Sequence, residues 1–524
     1  MKWIVLREDS GKIALVSKNE SSDESGLIHI GTYLTIEEEK DVKFILRVEG
    51  SSQYSPYDPS PMIVDLGFNT LPQDQNTKNL IHATRIMELP DRRDGKSSFI
   101  KPQTVARLST QREIESALGN ESGMPIFMGS AYGRNNQILR DFDGKLVLAK
   151  VPDDVFFHQI LITGKTGSGK TVAMKYMAQY FTSNFLDGFE DQPGAVLAIN
   201  VKGEDLLRMD KPSTIINEQI KDEWDTIGVS PHGVPAFRIY YPGNSINSYS
   251  PQVSKEKCVK ITLKTENIDP EALTGLVQNL SVQGADHLPA IFRFWQRRTM
   301  RLGDTLGTFV DYLSREGAKD LSAMNVREDT YVITLHPGTF GNIIRTLSKN
   351  TQYFDIPEAN ELSAEEILEA GKMSVIDVSD KDGIGFGGVL LRDILEKIYE
   401  TKSRRDNHVP ILIIIDEVHE FYGDARRREA LQSLDAITRK GRSLGIGVVF
   451  ASQNPEDMPK GISSVVNTKI HFRSDSKNID LKGTEVEPEA LKEGFAITQI
   501  YGMSALRFVK FPLSPGGVFD GKRN

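Results

Sequence analysis

The chain has 524 residues, 39% hydrophobic and 26% charged, with a formal net charge of −9 and a pI near 5.7, which fits about three soluble globular domains with ample core. That balance excludes a protein coated in basic surface, so any nucleic-acid contact has to be local. One cysteine, Cys258, excludes an intrachain disulfide framework and a multi-cysteine zinc site. Apolar runs such as Ile411 to Ile415 fall far short of the roughly 20 residues that span a bilayer, and the amino-terminal stretch turns acidic at Glu8 and Asp9 before a signal-peptide core forms. The expectation is a cytoplasmic protein with no membrane insertion.

In chain order, residues 1–150 read as all-β. Short β-branched runs recur at Lys2–Leu6, Ile13–Val16, Leu27–Tyr33, Val42–Val48, Met62–Leu66 and Lys145–Val151, separated by Ser, Asp, Gly and Pro clusters. Such spacing predicts a small barrel or sandwich. Tyrosines in the cluster at residues 51–61 fit a loop packing its own aromatics better than a base-stacking platform.

From Val151 the pattern changes to alternating strand and helix. The run Gln159–Thr163 leads into Gly164-Lys165-Thr166-Gly167-Ser168-Gly169-Lys170-Thr171 and then a helix-like segment. Strand, glycine turn and helix in that order make a phosphate-binding P-loop. Glycines let backbone N–H groups point inward without a Cβ in the way, and the helix adds its positive end. Lys170 is placed to reach the β- and γ-phosphates of ATP, and the Thr171 hydroxyl to ligate Mg²⁺. Ala195–Val201 is a strand buried on both faces, ending in Lys202-Gly203-Glu204-Asp205 where a nucleotide crevice would lie. After the strand candidate Ala236–Tyr241 the alternation lapses. Helical segments near Pro270–Leu280, His287–Met300, Thr305–Glu316 and Gly341–Leu347 suggest an inserted subdomain over residues 245–350. Its basic cluster Arg297, Arg298, Arg301 fits a solvated face, or a contact with DNA or a neighbouring subunit.

The alternation resumes at Met373–Val378. Pro410–Ile415 is then a buried strand ending in Asp416-Glu417, a Walker B pattern. Asp416 is assigned to Mg²⁺ and Glu417 to polarising the attacking water; His419 is placed in a supporting or surface role. A charged helix is expected from about Ala425 to Leu444, with Arg439 and Arg442 sharing a face. The strand Ile446–Ser452 follows, with Gln453 at its end positioned for the γ-phosphate or the water. Short strands at Thr468–Phe472, Phe495–Ile500 and Leu506–Phe511 extend the sheet, and residues 512–524 read as a mobile tail.

These motifs, with Gly441-Arg442, Gly445-Ile446-Gly447 and Asn467-Thr468-Lys469-Ile470, together resemble the HerA family, in the FtsK and HerA branch of P-loop ATPases. The resemblance implies a HAS-like β-barrel over residues 1–150 and a RecA-like α/β core over 151–511 that carries the helical insertion. It implies a homo-hexameric ring that translocates double-stranded DNA through its central channel, using ATP and Mg²⁺. An arginine, Arg442 or else Arg439, would complete the neighbouring subunit's site, and the partner would be a NurA-like nuclease, or a sirtuin-like or nuclease effector in antiphage defence. A second reading is a nucleotide-gated ring scaffold that activates such an effector with little translocation of its own. Two departures stand out: Asn200 occupies a position where many relatives have Asp, and no Arg lies between Val151 and the P-loop.

Overall fold

The computed structural model describes residues 2–17, 28–38, 42–54, 78–90, 98–119, 122–132, 135–189, 192–215, 217–242, 245–277, 280–316, 321–324, 330–333, 335–379, 383–422, 440–457, 466–475, 488–503 and 506–519. It divides into two compact units: Met1–Pro152 with Leu481–Pro512, and Asp153–Asp480 with Leu513–Asn524.

In the first unit, β1 (Trp3–Asp9), β2 (Lys12–Ser17), β3 (Tyr33–Glu37), β4 (Lys43–Tyr54), β5 (Lys78–Leu89) and β6 (Val105–Leu108) close into a barrel in the order β1-β2-β5-β4-β3-β6. Closure removes exposed strand edges, and alternation turns Trp3, Val5, Leu34, Ile36, Phe44 and Leu46 into its core. The strand expected over Leu27–Tyr33 instead begins at Tyr33, and Met62–Leu66 lies outside the described residues. An all-β reading also overlooked a helix, α1 (Gln111–Leu118), that the sequence marks with a capping box: Thr110 and Glu113 bond reciprocally, and Gly119 closes the end in the left-handed region. Glu113 further takes hydrogen bonds from Arg107, Lys43 and Thr35. Burial raises its pKa, but these donors outweigh it and hold the carboxyl far below the usual range. Three more strands, β7 (Met124–Tyr132), β8 (Asn135–Ile138) and β9 (Leu148–Val151), form antiparallel pairs on β7.

The second unit is built on a parallel sheet. Its strands are β10 (Ile160–Thr163), β11 (Ala195–Asn200), β12 (Ala236–Pro242), β13 (Cys258–Ile261), β16 (Lys372–Asp377), β17 (Ile411–Ile415), β18 (Ile446–Ser452) and β19 (Thr468–His471). They run in the order β13-β12-β16-β11-β17-β18-β10-β19, and every pairing is parallel. β11, β16, β17 and β18 are buried along their whole length, as a sheet covered on both faces requires. The helices are α2 (Lys170–Ser183), α3 (Glu218–Ile227), α4 (Val282–Arg298), α5 (Leu306–Glu316), α6 (Pro337–Asn350), α7 (Ala364–Ile367), α8 (Gly383–Ser403) and α9 (His419–Tyr422). α8 buries Val389, Leu390, Ile394, Leu395 and Ile398 in the main core, the single apolar face that their spacing predicts.

The interval read as helical differs in two places. Cys258–Ile261 pairs with β12 and so belongs to the sheet, and β14 (Leu321–Met324) with β15 (Thr330–Ile333) makes an antiparallel ribbon among the helices. In the first unit, β20 (Phe495–Gln499) pairs with β21 (Phe508–Lys510), which pairs in turn with β7.

The largest correction concerns the carboxy terminus. Leu513–Val518 is no mobile tail but a strap laid on the second unit. Ser514 is fully buried, the indole of Trp224 donates to the Leu513 carbonyl (2.8 Å), and Ser213 N to that of Pro515 (2.8 Å). Glycines at 516 and 517 suggest a linker by composition. They serve close approach instead, since a Cβ at Gly516 would lie 2.7 Å from the His232 carbonyl oxygen. Among the described residues, no helix is long and apolar enough to cross a membrane.

Candidate nucleotide-binding and hydrolysis site

The P-loop turns directly out of the buried strand β10. Gly164 has φ +151°, Gly167 +73° and Gly169 +107°, values that L side chains rarely adopt. The loop is braced from the chain beyond β19: Lys165 N donates to the Arg473 carbonyl (2.8 Å), and the Lys165 ammonium pairs with Asp475. α2 begins at Lys170 behind Gly169, so its first N–H groups open onto the loop. Lys165, Thr166 and Gly167 are exposed, whereas Ser168 is buried and its Oγ makes no hydrogen bond among the described residues. Thr171, the second residue of α2, is partly exposed.

Lys170 is buried, and its Nζ donates to the carbonyls of Gly164 and, at 3.4 Å, Lys165. Burial lowers its pKa, opposed by the charges of Glu417 and Asp416. Those two carboxylates lie almost 250 positions further along the chain, and the topology brings them here. β18 sits between β10 and β17, so the carboxyl ends of three neighbouring parallel strands deliver the P-loop, Gln453 and the acidic pair to one edge.

Asp416 follows β17, and burial, then the adjacent Glu417 charge, push its carboxyl up to about 6. Its Oδ1 accepts from Glu417 N (2.9 Å). Glu417 adopts φ +44°, a conformation costly for a non-glycine residue, and is 8% exposed. Its Oε1 accepts from Gln453 Nε2 (3.2 Å), while Oε2 is buried with no hydrogen bond among the described residues, 3.5 Å from His419 Nδ1. One oxygen is thus held and the other is an unsatisfied acceptor, the arrangement a water-polarising base requires. Gln453 is fixed by the turn after β18, where Asp457 accepts from Ser452 Oγ (2.8 Å) and Asn454 N (3.0 Å).

The Lys202–Asp205 corner faces the same site: Lys202 acts electrostatically on Lys170, and Asp205 on Asp416. Asn200 has a structural task here. Its amide donates to Asp377 Oδ1 (2.8 Å) and the Gly203 carbonyl (2.9 Å), and Tyr249 donates to Asp377 Oδ2 (2.6 Å). Glu204 accepts from Ser250 N (2.7 Å) and Arg208 (2.7 Å).

The structure therefore assembles Lys170, Asp416, Glu417 and Gln453. Arg442 stands apart, exposed on the Gly441–Leu444 turn beside an open cavity of about 520 Å³ lined by Tyr399, Ser403, Lys440 and Ser443. Arg439 and most of the helix expected around it lie outside the described residues. Sequence reasoning missed the bracing pairs Lys165–Asp475 and Ser452–Asp457. It also missed His471, whose Nδ1 lies 2.7 Å from the Thr163 hydroxyl; none of these carries a sequence signature.

The groups present fit a nucleoside triphosphate with Mg²⁺. A glycine cradle at a helix N-terminus with a buried lysine suits phosphate, and the Asp416 carboxylate with the Thr171 hydroxyl suits a hard cation that keeps much of its water. Mg²⁺ would supply charge neutralisation on the phosphoryl oxygens.

The chain is similar to several known proteins. A family model described as "Helicase HerA-like C-terminal" matches residues 386–473, the stretch from α8 through β19. The DNA double-strand break repair helicase HerA of Pyrococcus furiosus is 24% identical over 326 residues, 53% of this chain and 56% of the relative. Its namesake in Sulfolobus acidocaldarius is 27% identical over 138 residues, 25% of this chain and 28% of the relative. The chain thus spans about half the length, or less, of these curated relatives. Among solved structures, plasmid coupling protein TrwB with a non-hydrolysable ATP analogue matches with a TM-score of 0.46 and 12% identity, covering 80% of this chain and 96% of that one. VirB4 of Thermoanaerobacter pseudethanolicus matches at 0.43 and 13%, covering 75% and 97%.

Proposed function

We propose that this chain, which is similar to HerA helicases over part of its length, is a cytoplasmic, Mg²⁺-dependent ATPase that translocates double-stranded DNA as a homo-hexameric ring. The observation that carries the ATPase reading is the convergence of Lys170 with Asp416 and Glu417, and the Gln453 bond that orients Glu417. In this reading Lys170 and the P-loop N–H groups hold the β- and γ-phosphates, and Thr171 and Asp416 hold Mg²⁺. Glu417 Oε2 takes the proton of the attacking water, and Gln453 keeps that carboxylate in register. Arg442, exposed and remote from its own Lys170, serves the site of an adjacent subunit. The DNA reading is supported by the relatives named DNA double-strand break repair helicases. A nuclease or defence effector would be the working partner.

The test is direct. Glu417→Gln should bind ATP and fail to turn it over, whereas Lys170→Ala should lose binding, measured by nucleotide retention and phosphate release. Substantial turnover in Glu417→Gln would remove that residue from its role. Displacement of a triplex-forming strand by the wild type, absent in Glu417→Gln, would support translocation; ATP turnover without displacement would favour a scaffold.

A further inference from the structure

The turn that follows α4 carries more charge than its fold requires. α4 is anchored by Leu288, Ile291, Phe292 and Trp295 in the main core, with Phe292 and Trp295 stacked at 5.7 Å and Trp295 against Phe309 of α5 at 5.1 Å. The helix ends where Thr299 N (2.9 Å) and Met300 N (2.8 Å) both donate to the Trp295 carbonyl. A tight turn follows. Arg301 N donates to Asp304 Oδ2 (2.7 Å), Asp304 N returns to the Arg301 carbonyl (3.0 Å), and Gly303 takes φ +90°. The turn is therefore a fixed projection between two helices that each bury one face in the core.

Arg297 and Arg298, the last residues of α4, and Arg301 in the turn are exposed, and Leu302 at its tip is 100% exposed. Among the described residues none of the three arginines pairs with a carboxylate, whereas Arg293, one turn earlier, pairs with Glu271. Cations in the last turn of a helix relieve its dipole, which accounts for Arg297 and Arg298 but not for Arg301 beyond the helix end, nor for a wholly exposed leucine. Three guanidinium groups that form no ion pair among the described residues, against the single carboxylate of Asp304 in the turn, make a local positive projection in a chain of net charge −9, and its complement is a polyanion. Planar guanidinium forks suit phosphate oxygens, and an apolar tip among them suits the sugar and base edges of a groove.

We propose that the Arg297–Asp304 turn is a duplex DNA contact, with Arg297, Arg298 and Arg301 on backbone phosphates and Leu302 against the groove. The inference rests on the DNA-translocase reading and deepens it by naming the contacting element.

The test uses the full chain and a fluorescent duplex of random sequence, with binding measured from 50 to 200 mM salt. Each phosphate contact adds about 0.9 to the slope of log affinity against log salt, so losing three in Arg297→Gln/Arg298→Gln/Arg301→Gln should flatten it by about 2.7. Across that range the wild type would lose about 40-fold more affinity than the variant. Replacing all three by lysine should retain the slope, and Leu302→Ser should weaken binding with the slope unchanged. Melting and DNA-free ATP turnover, expected to match the wild type, report folding. An unchanged slope in the glutamine variant overturns the contact while leaving the DNA reading intact. No duplex binding by the wild type at any salt overturns both. A smaller native mass in the glutamine variant would assign the turn to a second copy of the chain and overturn the proposal.

Discussion

A methyl group on Gly164 would meet Phe472 Cβ and Ser168 Oγ, each at 2.8 Å, at a φ of +151°. A methyl added at Gly167, at φ +73°, would have nothing within 4 Å. Gly164→Ala should therefore lose nucleotide binding and cost about 1–3 kcal/mol, and Gly167→Ala should cost the smaller share of that range, the difference being read by nucleotide titration and thermal melting. Gln453 is a positioning residue by the same kind of argument. Gln453→Leu leaves Glu417 Oε1 without its donor, so kcat should fall by about 10²-fold while KM for ATP changes little. His471, at the strand beside the P-loop strand, gives a pH signature. Burial, reinforced by Lys469, lowers it from its ordinary 6.5 to about 4. The unfolded chain then binds the proton more readily than the folded one between those values. Stability is full above about 6.5 and is lost as pH falls toward 4. The melting temperature should drop over that window, and His471→Gln should flatten the drop.

At the scale of elements, the carboxy-terminal strap meets the P-loop helix directly. Gln179 of α2 accepts from Ser514 Oγ (3.0 Å) and Gly516 N (2.8 Å) and donates to the His232 carbonyl (2.6 Å), and Lys175 donates to the Gly517 carbonyl (2.6 Å). All of this lies on the helix whose first residue is Lys170. Gln179→Ala strands these buried partners and should cost about 1–3 kcal/mol, seen as a lower melting temperature with ATP-induced stabilisation retained. The strap also marks what the sequence could not express. The P-loop and Walker B motifs were legible because their chemistry is contiguous: glycines with Lys170 and Thr171 in one run, Asp416-Glu417 at the end of one apolar strand. Gln179 has no local feature that foretells a partner more than 300 residues away, and the Leu513–Val518 stretch has the composition of a linker. α1 was legible and overlooked, since Thr110 and Glu113 are a capping box in plain sequence.

For the whole molecule, strand order explains why distant motifs form one site and why Arg442 stays outside it. Parallel strands β10, β18 and β17 lie side by side, which fixes Lys170, Gln453 and Glu417 at one edge whatever the intervening chain does. Arg442 precedes β18, at the opposite end of that strand from Gln453, so within one subunit the parallel sheet holds it away from the carboxyl-end crevice. Arginine at a shared site would neutralise transition-state charge and contribute about 10³ to 10⁵ in rate. In the proposed ring, Arg442→Ala and Lys170→Ala should each abolish turnover alone, by different routes. Mixed in equal amounts and reassembled, they should regain activity, because about a quarter of random interfaces join an intact Lys170 site to an intact Arg442. Were Arg442 to act within its own subunit, every protomer in the mixture would carry one lesion in its site and no activity would return. Phosphate release from the mixture, set against the two parent variants at equal total protein, separates the two arrangements.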